Sequence, residues 1–145
     1  MDIDFKENDY RFLVRCSAFI INSKNEILLF KYKNADYYLL PGGRVNKLED
    51  SKTAIIREIK EELGIELDFE LLCVFENILK EEKIQNIDFC YYAKYNGVIT
   101  PQEDKNQIFQ FIDIKKIEDY NLKPSILKDI IKKFDINLKH FINYE

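Results

Sequence analysis

The chain has 145 residues, of which 46% are hydrophobic and 33% charged, the balance of one soluble globular domain rather than of a fibrous or disordered chain. A formal net charge of −4 with scattered Lys and Arg argues against extensive nucleic-acid binding, which needs clustered cations. No apolar run is long enough to span a bilayer, Met1 to Asn8 shows no signal-peptide pattern, and Cys16, Cys73 and Cys90 fall in apolar runs without metal spacing, so buried free thiols and a cytoplasmic location with no membrane contact are expected.

Phe12 to Ile21 predicts a buried strand, with Glu26 to Tyr32 as its hairpin partner across the polar turn Asn22 to Asn25. Pro41-Gly42-Gly43 reads as an abrupt breaker, and Arg44 to Glu49, which lacks periodicity, reads as a loop. Asp50-Ser51 then caps a helix from about Lys52 to Leu63, and Gly64 is placed to end it. Leu67 to Leu79 and Ile84 to Tyr95 predict a second hairpin around the charged turn Lys80 to Lys83. After a polar loop, Thr100 to Asn106, comes a short strand at Ile108 to Ile112. A last helix is expected from Pro124, as its first residue, to about Phe134. The expected fold is therefore α+β, a mixed, mostly antiparallel sheet with helices on its faces, in a single domain spanning 1–145.

Around the first helix, Glu58, Glu61 and Glu62 share one face, while Ile55, Ile56, Ile59 and Leu63 form a broad apolar stripe opposite. Carboxylates at such spacings repel one another. An exposed acidic face screened by nearby Lys and Arg is one reading of the three. The other is a divalent-cation site, for which hard oxygen donors with no His or Cys close by suit magnesium or manganese better than zinc. Gly42-Gly43 just upstream permits close approach of backbone to a metal or a phosphate.

Across Gly43 to Ile65 the chain reads G-x5-E-x7-R-E-I-x-E-E-L-G-I, carried by Gly43, Glu49, Arg57, Glu58, Ile59, Glu61, Glu62, Gly64 and Ile65. This resembles the Nudix box at all nine of these positions, and the order of elements around it is similar to the family's α/β/α sandwich over nearly the whole chain.

The resemblance implies a metal-dependent hydrolase that cleaves the phosphoanhydride bond of a nucleoside diphosphate linked to another moiety, by attack of water on phosphorus. It implies Mg²⁺ or Mn²⁺ held by Glu58, Glu61 and Glu62 with a carbonyl of Gly42 or Gly43. It also implies a structural pair between Arg57 and Glu49, with Gly64 shaping the helix exit. For the proton-accepting carboxylate the family offers two solutions, here Glu58, which the reading favours, or a later loop acid, Glu103 or Asp104. It allows a homodimer.

Arg15, in the middle of an apolar strand, must be paired with a carboxylate or turned into the cleft toward phosphate; the reading takes the cleft. Arg44 either reaches a phosphate or is a solvated loop arginine. His140 receives no role. The aromatic residues, 14% of the chain, are read mainly as core, with one or two rings available to stack on a base.

The partner is expected to be a small nucleoside diphosphate derivative. The box does not select among a modified triphosphate, a nucleotide sugar or a capped RNA end. A non-catalytic nucleotide-sensing Nudix domain is the alternative, against which the intact box counts. An isoprenoid diphosphate isomerase is disfavoured by the single late histidine.

Overall fold

The structure is a computed structural model and describes residues 1–102, 106–133 and 139–145. Strand β1 (Asp4–Glu7) forms a hairpin with β2 (Tyr10–Ile21), which is followed by β3 (Glu26–Tyr32) and the short β4 (Gly42–Arg44). Helix α1 (Ser51–Leu63) leads to β5 (Glu70–Leu79), β6 (Ile84–Lys94) and β7 (Gln107–Asp113). A 3-10 helix (Ile114–Asp119), α2 (Leu127–Lys132) and β8 (Lys139–Tyr144) complete the chain.

The sheet runs β7-β3-β2-β6-β5-β8, with β1 and β4 also paired to β2. The β2·β6 and β5·β8 pairs are parallel and the others antiparallel. This is the mixed, mostly antiparallel α+β sheet the sequence predicts. β2 and β3 share only the pair Ile21↔Ile27 before β3 diverges to run alongside β7. That divergence leaves β2 open to receive β4 at Arg15↔Arg44, Cys16↔Gly43 and Ser17↔Gly42.

Side chains alternate across β2 and so feed two cores. Cys16, Ala18 and Ile20 pack with Ala54, Ile55, Ile59 and Leu63 of α1 on one face. Phe19 and Ile21 pack with Leu127, Ile130 and Ile131 of α2 on the other. All three cysteines are free and buried, and burial pushes the Cys16 thiol up to about 12.

Both ends of α1 follow from local chemistry. The Asp50 carboxylate accepts from the Thr53 amide at 2.8 Å, satisfying one of the donors a helix start leaves over. Gly64 closes the other end at φ 69°, its amide donating to the Lys60 carbonyl, in the left-handed conformation that disfavours residues bearing a Cβ.

Two expectations are corrected. Gly42-Gly43-Arg44 is a strand and not a breaker running into a loop. The bare glycine backbone fits against β2 so closely that a Cβ on Gly42 would lie 2.1 Å from the Cys16 carbonyl oxygen. Pro124 does not open the last helix, since α2 begins at Leu127. Pro124 belongs instead to the turn before it, its carbonyl accepting from the Leu127 amide. Phe134, where that helix was expected to end, lies outside the described residues.

Candidate active site

A cleft of about 670 Å³ opens on the sheet where β3 parts from β2, within the roughly 300–1,000 Å³ of small-molecule sites. Its walls include Gly42, Gly43 and Arg44 of β4, Glu58 and Glu62 of α1, and Arg15 and Ser17 of β2. It therefore brings together six residues of the sequence expectation. Ser17 joins them with Asn77, Asn86 and Asp88 from β5 and β6.

The Nudix-like segment is tied together by Arg57. Its Nε and Nη2 donate to the two carboxylate oxygens of Glu49 at 2.8 and 2.9 Å, and Nη2 also donates to the Arg44 carbonyl at 3.1 Å. One side chain thus joins α1, the loop before it and β4. Nη1 donates to Glu58 Oε1 at 2.9 Å and to Glu61 Oε2 at 3.4 Å, placing positive charge between two carboxylates that would otherwise repel. The same guanidinium holds the Glu49 carboxyl below the usual carboxylate range. Burial pushes Glu58 the other way, upward, with Arg57 opposing it.

Glu58 lies directly over the glycine backbone. A Cβ added to Gly43 would fall 2.3 Å from the Glu58 carboxyl carbon and 2.5 Å from each of its oxygens. The absence of that carbon is what lets the carboxylate occupy its place. Glu62 lines the cleft beside it, its Oε2 closed off from solvent. Glu61 is 46% exposed at its side chain and is not part of the cleft wall. Among the described residues, His, Cys, Asp and Glu side chains form no ready-made cluster of three for a metal ion.

Arg15 is placed both at the cleft and near a carboxylate. It lines the cleft and stands 3.9 Å from Asp88 Oδ2. Asp88 also accepts from the Ser17 hydroxyl at 2.7 Å, and its burial lifts the carboxyl, with Arg15 and Ser17 pulling it back. Arg44 lines the cleft while its Nη1 pairs with Asp2 and Asp4, at 3.4 and 3.1 Å. His140 pairs with Glu76. Glu103 and Asp104 lie outside the described residues.

Sequence reasoning did not single out Ser17, Asn77, Asn86 or Asp88. The available signal was the alternation of Asn86 and Asp88 in β6. That pattern ordinarily marks a solvent face, and here it marks the floor of a cleft.

Fold and cleft define an α/β/α sandwich whose acid-bearing helix lies against a glycine strand at the mouth of an open pocket. The chain belongs to the NUDIX domain family, whose family model matches residues 11–134. The mRNA-decapping protein D10 of Fowlpox virus is 27% identical over 148 residues, covering 87% of this chain and 64% of that protein. The chain thus spans less than two thirds of the first curated relatives it matches. Among solved structures, a MutT NUDIX hydrolase from Burkholderia pseudomallei is 30% identical with a TM-score of 0.69, over 85% of this chain and 97% of that one. The MutT protein of Methanosarcina mazei Go1 shares the fold at 22% identity and TM-score 0.73, over 90% and 96%.

Proposed function

We propose that this chain is a divalent-metal-dependent Nudix pyrophosphohydrolase acting on a nucleoside diphosphate linked to another moiety, with water attacking phosphorus. The observation that carries the reading is the Glu58 carboxylate seated on the Gly43 backbone at the cleft wall, in the space a Cβ would fill.

The residues present fit a hard cation. Glu58, Glu61 and Glu62 offer only carboxylate oxygens, and the carbonyl of Gly42 or Gly43 adds a fourth donor of the same kind, a set suited to Mg²⁺ or Mn²⁺. Bound there, the ion supplies charge neutralisation on phosphate oxygens and a more acidic water. Arg57 keeps helix and loop in register, so that Glu58 faces the cleft. Arg57 holds Glu58 through Oε1, and Glu58 is the carboxylate that takes the proton of the attacking water. Arg15 and Arg44, both on the cleft wall, bind phosphate oxygens. Gly64 ends α1 cleanly and fixes the helix on which the acids sit.

The test is product release from a panel of nucleoside triphosphates, modified nucleotides, nucleotide sugars and a capped RNA oligonucleotide, with Mg²⁺, with Mn²⁺ and with chelator. The capped RNA is included because a decapping protein is among the relatives. Turnover is expected only with a divalent ion, and Glu62→Gln is expected to lose it while staying folded. Full turnover in Glu62→Gln would remove the metal mechanism. Tight nucleotide binding without hydrolysis across the panel would favour a sensor instead.

A further inference from the structure

The floor of the cleft, away from the acids, carries polar side chains that the hydrolytic chemistry does not use. Asn86 on β6 lies opposite Asn77 on β5, which in turn lies opposite Asn143 on β8. All three are buried, to 7%, 8% and 6% exposure. Asn143 Nδ2 donates to Asn77 Oδ1 at 2.7 Å, and Ser125 Oγ donates to Asn143 Oδ1 at 3.2 Å. Two of the asparagines are thus tied into the structure.

Asn86 is different. Its side chain makes no hydrogen bond to any described residue, yet it is more than nine-tenths buried and forms part of the cleft wall. Its amide atoms are not sealed in the protein interior but open to the cleft, where water or a ligand meets them. With no protein partner competing for it, the amide offers both a donor and an acceptor to whatever displaces that water from the cleft.

The position narrows that group. Asn86 pairs with Leu13 on β2, whereas Gly43 pairs with Cys16 on the opposite side of β2. Three residues along β2 and two strand spacings across separate them, on the order of 10 Å in each direction. Phosphates held by the arginines and the glycine backbone would leave the far end of a nucleotide over Asn86. An anion is a poor complement for an amide that offers an acceptor as well as donors. A heterocyclic edge carrying both functions is a good one, and Asn pairs with such edges in a bidentate way.

We infer that Asn86 is the base-reading residue of this cleft, its carboxamide pairing with the edge of a nucleobase. This rests on the cleft being the nucleotide site. Asn86 is a specificity residue and takes no part in the bond-breaking step.

The experiment measures binding rather than turnover. Adenosine, guanosine, cytidine and uridine 5′-monophosphates and base-free ribose 5-phosphate are titrated into the intact chain and into Asn86→Ala, followed by NMR shifts. At least one nucleoside monophosphate is expected to bind wild type about tenfold more tightly than ribose 5-phosphate, the worth of one or two good hydrogen bonds. In Asn86→Ala that advantage is expected to vanish while ribose 5-phosphate binds as before. An advantage that survives Asn86→Ala, or none in wild type, overturns the inference.

Should Asn86→Ala fail to fold, Asn86→Asp keeps the shape and replaces the donor by an acceptor. It is expected to reorder the four bases, and an unchanged order again overturns the inference. No binding of any of these phosphates would sink the nucleotide reading of the cleft as well. Base-independent binding would sink only the role given to Asn86.

Discussion

Arg57 and Glu49 meet fork to fork, with Nε and Nη2 of the arginine on the two oxygens of the glutamate at 2.8 and 2.9 Å. Both side chains are mostly buried, at 27% and 13% exposure, so solvent screens this pair less than an ordinary surface bridge. Arg57→Lys keeps the charge but loses the fork and the bond to the Arg44 carbonyl. It is expected to cost about 1–2 kcal/mol in urea unfolding, and to lower turnover because Glu58 loses its partner.

The same pair sets a pH signature. Hydrogen bonding to Arg57 is the largest cause holding the Glu49 carboxyl below its ordinary value of 4.5. A depressed folded-state value means that stability is present above the unfolded value and lost as pH falls through the folded one. The stability gap between wild type and Glu49→Gln is therefore expected to be flat from neutrality down to about pH 5, and to close below it. A gap independent of pH down to acid denaturation would show that the ionised pair contributes nothing.

Two adjacent glycines are expected to fail in opposite ways. Gly42 has φ 149°, and an added Cβ would meet backbone, the Cys16 carbonyl oxygen at 2.1 Å and Ser17 Cα at 2.8 Å. Gly42→Ala should therefore weaken the β2·β4 pairing and cost about 1–3 kcal/mol or more of stability. At Gly43 the added carbon meets only the Glu58 carboxyl group, the mobile end of a side chain. Gly43→Ala should stay within about 1 kcal/mol of wild type, yet lose about a hundredfold in turnover by displacing Glu58. Thermal unfolding and kcat measured on both variants decide it. Equal losses of both kinds would dissolve the distinction.

These glycines also show what the sequence conceals. Asp50, Gly64 and the apolar stripe Ile55, Ile59, Leu63 are local signals, and α1 could be drawn from them almost to the residue because its caps act over three or four positions. β4 could not. Gly-Gly reads as a breaker when judged alone, and becomes a strand only because β3 leaves β2 and opens a partner for it. The box acids were legible by spacing, as was the pairing of Arg57 with Glu49 through family resemblance. The cleft floor was not, because Asn77, Asn86 and Asp88 sit at strand positions that read as a solvent face until the fold brings β5 and β6 alongside β2. Strand β8 was missed for a related reason, since its pairing depends on β5, far away in the chain. Strand β1 was missed because it is short and mostly charged, although its hairpin partner is adjacent.

Metal binding is expected to register as stability. An ion that binds the folded chain and not the unfolded one raises the melting temperature by mass action. Millimolar Mg²⁺ is therefore expected to shift wild type upward, chelator to reverse the shift, and Glu62→Gln to abolish most of it. Gains that persist in a variant lacking all three of Glu58, Glu61 and Glu62 would place the ion elsewhere.

Asp88 gives the last prediction, and its sign is opposite to that of Glu49. It is 5% exposed and accepts from Ser17, while its nearest cation, Arg15, is 3.9 Å away. Burial outweighs both partners and raises the carboxyl above its ordinary value. A raised carboxylate favours the folded state when protonated, so its contribution is complete below the unfolded value and is lost as pH rises through the folded one. Above the unfolded value the carboxyl is then a net burden on the fold. Asp88→Asn keeps an oxygen for the Ser17 hydroxyl and removes the buried charge. The variant is expected to melt a few degrees higher than wild type at pH 7, with the gain shrinking to nothing in acid, where wild type is neutral at this position too. A lower melting point for Asp88→Asn at pH 7 would mean that the Arg15 attraction outweighs desolvation, reversing the order of the two effects.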